Sequence, residues 1–451
     1  MSIKNYLNSQ QNQHLNELIP FLKIPSVSAD SSYKQQVLDC AHYLKEFCIS
    51  AGFDTVELLE SNGFPAIFAQ IGVDPSKKTV LFYGHYDVQP ADPLHLWDSP
   101  AFEPSVRNGY IYARGVADDK GQVYCHLLAI KALIDQQMEL PVNIKILIEG
   151  EEEIGSPHLS ELLVENKQRL SADYIVISDT PMFSKKQPSL CTSIRGLVHS
   201  EVTLKSISHD LHSGQHGGSL HNPIQRLSEM LSRLIDSKGK ITIPHFYDDV
   251  SEVSSLQKQH LNELDFSENA YYQSVGTKKG FGEHGYTCLE RRWYRPCLDC
   301  NGIYGGYTGE GSKTVLPASA TMKLSIRLVA NQDPKKIAAQ LDKYLYELCP
   351  SELQMEVSTH AAGPAYSCNL KSPAIIAAKN AIYDAFNKKP LFTAEGGSIP
   401  IVSLMASILN AEVVLMGFNL PDDAIHAPNE RFLIEHFHKG IQAAAYFYQN
   451  L

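Results

Sequence analysis

KTVLFYGHYD, residues 78–87, is a short apolar run that ends on a glycine, a histidine and an aspartate. Thr79, Val80, Phe82 and Tyr83 favour extended backbone, and the run is too short for a buried helix, so it reads as a strand. The same arrangement recurs along the chain. NIKILIE (143–149) is followed by Gly150-Glu151-Glu152-Glu153, YIVIS (174–178) by Asp179, and EVVLMGF (412–418) by a loop with Asp422, Asp423 and His426. A further loop, Arg114 to Gly121, carries Asp118 and Asp119 into a helix predicted over Lys120–Gln136.

Such strands alternate with helices at 35–51 and 120–136, which predicts an α/β sheet that is largely parallel and flanked by helices. In such a sheet the carboxyl ends of the strands gather at one edge, where ligands bind. His85, Asp118, Glu152, Glu153, Asp179 and His426 are therefore expected to converge. From about Cys191 the pattern changes to strand 198–204, helix 223–235, a long aromatic-rich stretch, strand 321–329, helix 334–348 and strand 353–358. That order predicts an inserted α+β unit of ferredoxin-like kind. After Glu395 the α/β pattern returns with a helix at 400–409, the strand from Glu412 and a last helix from Arg431. The expected division is a catalytic domain of residues 1–190 and 397–451, interrupted by a lid at 191–396.

Imidazole with carboxylate is a donor set for Zn²⁺, and also for Mn²⁺ or Co²⁺. Two histidines and three carboxylates suffice for two ions if one carboxylate bridges. Their charges, with a hydroxide held between the ions, then cancel. In His85-x-Asp87 the second carboxylate can fix the imidazole tautomer. Glu152 and Glu153 are adjacent, so their side chains diverge, and one can bind metal while the other stands free as a base. Glu151 reads as a solvated acid of a charged loop, and Asp119 as an N-cap of the following helix.

The chain has 451 residues with a formal charge of −11, and no basic run offsets it. This argues against nucleic-acid or anionic-membrane partners. No apolar run approaches the roughly 20 residues of a membrane span, and the N-terminus lacks a signal-peptide pattern. Nine scattered cysteines fit a reduced, cytoplasmic protein. Cys297 and Cys300 form the only C-x-x-C, without a second pair to make a zinc site. The glycines at 302–311 lack the spacing of a phosphate-binding loop. His209, His216, His221 and His284 read as surface or lid residues.

GHYDVQP, YARGVADDKG, EGEEEIGS, the Asp179 strand end, DLHSG, TGEGSKTVLP, EGGSIP and DDAIHAPNE occur in this order over nearly the whole chain. The set resembles the motifs of the metallopeptidase family of carnosinases, aminoacylases, acetylornithine deacetylases and succinyl-diaminopimelate desuccinylases, with the closest likeness to the dipeptidase branch. The resemblance implies hydrolysis of the amide bond of a dipeptide or short peptide with a free carboxylate. An N-acyl amino acid deacylase is the alternative within the family, and a non-catalytic binding protein the alternative outside it. It implies two divalent ions, zinc foremost. His85 and Asp179 would hold one, Glu153 and His426 the other, and Asp118 would bridge. Asp87 would orient His85, and Glu152 would be the general base. Asp118 and Asp119 would be joined by a cis peptide bond. Arg327, Thr314, Gly397 and Ser398 would grip the substrate. His212, in the lid, would stabilise the oxyanion in the site of the other subunit of a homodimer.

Overall fold

The computed structural model describes all residues from Met1 to Leu451. Contacts divide the chain into two compact units. The first is Met1–Thr192, Cys368–Thr393 and Leu404–Leu451, and the second is Ser193–Ser367 and Ala394–Ser403.

In the first unit, the strands Val142–Glu149, Lys78–His85, Tyr174–Ile177 and Glu412–Leu415 lie side by side and are all parallel. Their runs are largely apolar and buried, with Asn143, Lys145 and Glu149 as the polar positions on one face of Val142–Glu149. Val80, Phe82, Ile144, Ile146, Val176 and Val414 join one core with helices Lys34–Ser50, Lys120–Asp135 and Ile434–Asn450. The parallel order extends only through this centre. Thr55–Leu59 and Ala66–Ile71 form an antiparallel hairpin against Val142–Glu149, and Ser189–Ile194 meets Glu412–Leu415 antiparallel. Only the hairpin has a short connection, of the kind that permits antiparallel pairing; the other two pairs join strands far apart in sequence.

The second unit has a sheet in the order Cys297–Gly305, Ser319–Leu328, Gly196–Lys205, Gln354–Gly363, with every pair antiparallel. With helices Pro223–Ser232 and Pro334–Leu348 its chain order is βαββαβ, the ferredoxin-like arrangement. Val198, Val202 and Leu204 alternate inward along Gly196–Lys205 and pack on Leu227, Met230, Ile337, Leu341 and Leu345 of those helices. The aromatic-rich stretch holds three further helices, Ser255–Glu263, Glu268–Ser274 and Cys288–Trp293. The first and last of these start with capping boxes, Ser254 with Gln257 and Thr287 with Glu290.

The first division falls at 192/193, beside the expected 190/191, but the return to the first unit does not fall at 396/397. Helix Pro373–Phe386 packs Ala374, Ala378, Ala381 and Ile382 into the core that also holds Phe437 and Ile441. Cys368–Thr393 thus joins the first unit. Residues 397–403 join the second, where Ser398 Oγ donates to Gly196 O at 3.0 Å and Ser403 Oγ to Pro364 O at 2.9 Å. The last helix begins later than expected, at Ile434. Arg431–Leu433 is instead a strand paired with Tyr110–Tyr112. All nine cysteines are free, and no helix is long and apolar enough to cross a membrane.

Phe437 is fully buried among these helices. Phe437→Ala should lower stability by about 3–5 kcal/mol through the cavity it leaves. Denaturant unfolding measures this, and a loss under about 1 kcal/mol would mean that the last helix is not packed as described.

Candidate active site

The strand pairings put His85 opposite Glu149, and Ile177 opposite both Tyr83 and Leu415. The residues that follow these strands therefore leave the sheet at one edge. His85, Asp118 and Asp179 bring donor atoms within 4.8 Å of one another, and so do Asp118, Glu153 and His426. Asp118 belongs to both groups. Its Oδ1 lies 3.1 Å from His85 Nε2 and its Oδ2 lies 2.8 Å from His426 Nε2. Glu153 Oε2 lies 3.3 Å from His426 Nε2 and accepts from Gln89 Nε2 at 2.8 Å. The peptide bond between Asp118 and Asp119 is cis.

Asp87 is fully buried; its main-chain oxygen lies 3.1 Å from His85 Nδ1 and its carboxylate 3.4 Å from the same nitrogen. The same carboxylate accepts the Ser28 hydroxyl at 2.6 Å and the main-chain N–H groups of Glu152 and Glu153 at 3.2 and 3.1 Å. It thus holds the imidazole and the Glu152–Glu153 turn together. Glu152 itself accepts no hydrogen bond from the protein, so its carboxylate stands free. Two sequence expectations change. Asp119 sits at the N-cap position but does not cap, and its Oδ2 accepts instead from His85 N at 3.4 Å. Glu151 is buried and pairs with His158 Nδ1 at 2.9 Å, so it is no solvated acid.

Several carboxylates here share a dry space. Burial and the neighbouring Asp118 and Asp119 push Asp179 well above the usual carboxylate range. Burial, aided by Asp118, raises Asp119. Burial lifts Glu152 to about 7 despite His85, with Asp118, Glu153 and Asp87 adding to the rise. Asp118 goes the other way, because hydrogen bonds from His426 and His85 outweigh its burial. Those to Asp118 and Glu153 hold His426 up at about 10. Such a cluster is short of positive charge. The donor set, imidazole nitrogens with carboxylate oxygens, fits divalent zinc, manganese or cobalt.

The remaining five sequence candidates lie on the second unit, as the pair His212 and Thr314, the pair Arg327 and Ser398, and Gly397. Exposed His212 sits opposite Val315 in a two-residue ladder, with its Nε2 3.3 Å from Thr314 Oγ1 and its Nδ1 accepting Gly214 N–H at 3.0 Å. Arg327 Nη1 donates to Ser398 Oγ at 2.8 Å. Gly397, next to Ser398, turns its N–H onto Glu395 Oε1 at 3.2 Å. Arg195 was not among the candidates. Its Nε donates to Gly396 O at 2.8 Å, which braces the Gly-Gly-Ser turn. Ser28 and Gln89 were not marked either, since lone polar residues carry no spacing signal.

The pH dependence of the metal-free chain follows from these shifts. Folded Glu152 keeps its proton to about pH 7, Glu149 to about 8 by burial, and His426 to about 10. The unfolded chain loses these protons near about 4.3 for glutamate and 6.5 for histidine. Through these groups the folded state binds more protons from about pH 4.3 up to about pH 10, with Glu149 and His426 alone acting above about pH 7, and stability falls as pH rises across that window. Buried His14 and His126 and half-buried His438, lowered by desolvation to about 4, 3 and 4, act in the opposite sense but only below about pH 6.5. The thermal midpoint of chelator-stripped protein should drop between about pH 7 and 9, and a flat profile there would contradict this electrostatic picture.

The pattern of peptidase family M20/M25/M40 matches residues 81–450. The Cys-Gly metallodipeptidase DUG1 of Saccharomyces cerevisiae is 31% identical over 467 residues, which span 99% of this chain and 97% of that protein. The Beta-Ala-His dipeptidase of Homo sapiens is 34% identical over 389 residues, covering 85% of this chain and 77% of its own length. Among solved structures, the M20 family metallo-carboxypeptidase Sso-CP2 from Sulfolobus solfataricus superposes with a TM-score of 0.87 at 32% identity, over 97% of this chain and 98% of that one. With the family pattern over most of its length and dipeptidases among its relatives, this chain belongs to the M20 peptidase family, as a metallopeptidase of the dipeptidase branch.

Proposed function

We propose that this protein hydrolyses the amide bond of dipeptides or short peptides with a free C-terminal carboxylate, at a site for two divalent ions. The observation that carries this reading is the shared Asp118, with one oxygen toward each of two histidines and a further carboxylate in each group. His85, Asp118 and Asp179 would hold one ion, and Asp118, Glu153 and His426 the other. When bound, such ions would acidify a coordinated water and polarise the carbonyl to be attacked.

The chain's own residues supply the rest. Asp87 fixes the tautomer of His85 and the direction of the Glu152–Glu153 turn. Glu152, whose carboxylate is unencumbered, takes the proton from the attacking water and returns it to the leaving nitrogen. His212 donates a hydrogen bond to the carbonyl oxygen as charge builds there. Arg327, held by Ser398 and without a carboxylate of its own, receives the substrate carboxylate, with Thr314, Gly397 and Ser398 completing the grip. His212 would serve the active site of the second copy in a two-fold dimer.

Purified protein should contain up to two zinc, manganese or cobalt ions per chain, and stripping them should abolish hydrolysis across a panel of dipeptides and N-acyl amino acids. Activity that survives complete removal of metal would sink the mechanism. Glu152→Gln should keep both ions and the fold while losing roughly 10²–10⁴-fold in turnover. If it loses an ion and keeps its rate, Glu152 and Glu153 have exchanged roles.

A mixing experiment tests the shared site. Glu152→Ala and His212→Ala, each inactive alone, should recover about a quarter of wild-type activity once subunits exchange. About half the dimers are then mixed, and each of those has one intact composite site under two-fold symmetry. No recovery after demonstrated exchange would place His212 in its own chain's site.

A further inference from the structure

Glu430 is fully buried, and its carboxylate accepts four hydrogen bonds from one short loop. Oε2 takes Arg114 Nη1 at 2.7 Å and Gly115 N at 2.9 Å. Oε1 takes Ala117 N at 2.8 Å and Asp118 N at 3.2 Å. Four donors saturate a carboxylate. Arg114, equally buried, reaches on with Nη2 to Pro90 O at 3.2 Å. Pro90 follows Gln89, which bonds Glu153. Glu430 in turn lies four residues after His426, and its own carbonyl accepts Ala113 N at 3.2 Å. Gly115 has φ +82°, with Val88 where a Cβ would lie, so the loop can turn three of its amides onto one side chain.

A buried ion pair is weak grounds for stability, since apolar residues of like volume do as well or better. No apolar side chain could accept three main-chain amides, however, and these would otherwise be orphaned. We infer that the Arg114–Glu430 pair is a positioning device that clamps together the three loops carrying Glu153's partner Gln89, the shared ligand Asp118 and His426, and so sets the spacing of both ion sites. This rests on the two-ion reading above.

The test is made on full-length, metal-stripped protein titrated with Zn²⁺ by calorimetry. Glu430→Gln swaps one acceptor oxygen for a donor that faces main-chain N–H groups. It should weaken zinc binding at both sites that share Asp118 by roughly 10–100-fold, and Glu430→Asp should restore part of the loss. Phe437→Ala, which loosens the same unit through a core cavity, should bind zinc as wild type does. Wild-type zinc affinity in folded Glu430→Gln would overturn the inference. So would an equal loss in Phe437→Ala, or failure of both Glu430 variants to fold, because each makes the pair a support of the fold alone. Absence of zinc binding by the wild type would instead remove the two-ion reading itself, and this inference with it.

Discussion

Asp118 stands between two imidazoles, one from residue 85 and one from residue 426, with a different oxygen toward each. Bringing that carboxylate into a dry space beside Asp179, Asp119, Glu152 and Glu153 is electrostatically unfavourable, and the raised proton affinities of three of these acids express the cost. Much of the first unit offsets it. Asp87 gathers a hydroxyl and two amides to anchor the acidic turn, and Glu430 gathers three more amides to anchor the loop of Asp118. Both anchors are themselves buried acids satisfied by main-chain N–H groups. Negative charge is therefore held at the centre partly by negative charge behind it, with Arg114 and the amide dipoles as the compensating positive terms.

The strand ends were legible in the sequence because each carries two signals at once. KTVLFY, NIKILIE and YIVIS are short and largely apolar, which marks a buried sheet centre, and each is followed directly by residues whose side chains can hold cations or protons. His85, Asp118, Glu153, Asp179 and His426 come together in the structure as the spacing implied. Less legible were the residues that act through others. Ser28, Gln89 and Arg195 are single polar side chains whose partners lie about 60 or more residues away in sequence, and periodicity carries no trace of such contacts. Glu151 and Asp119 were misread for a related reason. A run of acids looks solvated until the fold shows which member turns inward, here toward His158 and toward the amide of His85.

The edge of the insert was also obscure from sequence. Helix Pro373–Phe386 has the alanine-rich face of any buried helix, and nothing in it says which core it fills. Small side chains at Ala374, Ala378 and Ala381 suit close packing on another helix, and the last helix offers its own alanines, Ala443, Ala444 and Ala445, to the same core. The turn at Gly396 to Ser398 is legible as a motif yet belongs with Arg195, Gly196 and Arg327 of the second unit. Motif order along a chain does not reveal which compact body each motif joins.

The strand Glu412–Leu415 is inserted between Tyr174–Ile177 and Ser189–Ile194, inside the sheet rather than at its rim. A chain emerging from the ribosome has all of residues 193–367 available before that strand appears. The second unit is nearly contiguous in sequence and can acquire most of its structure locally. The first unit must wait with a gap between two of its strands, exposing apolar edges until residue 415 arrives and lacking the imidazole of His426 beside Asp118 and Glu153 until residue 426 does. Synthesis thus orders the two bodies in time, with the reactive one last.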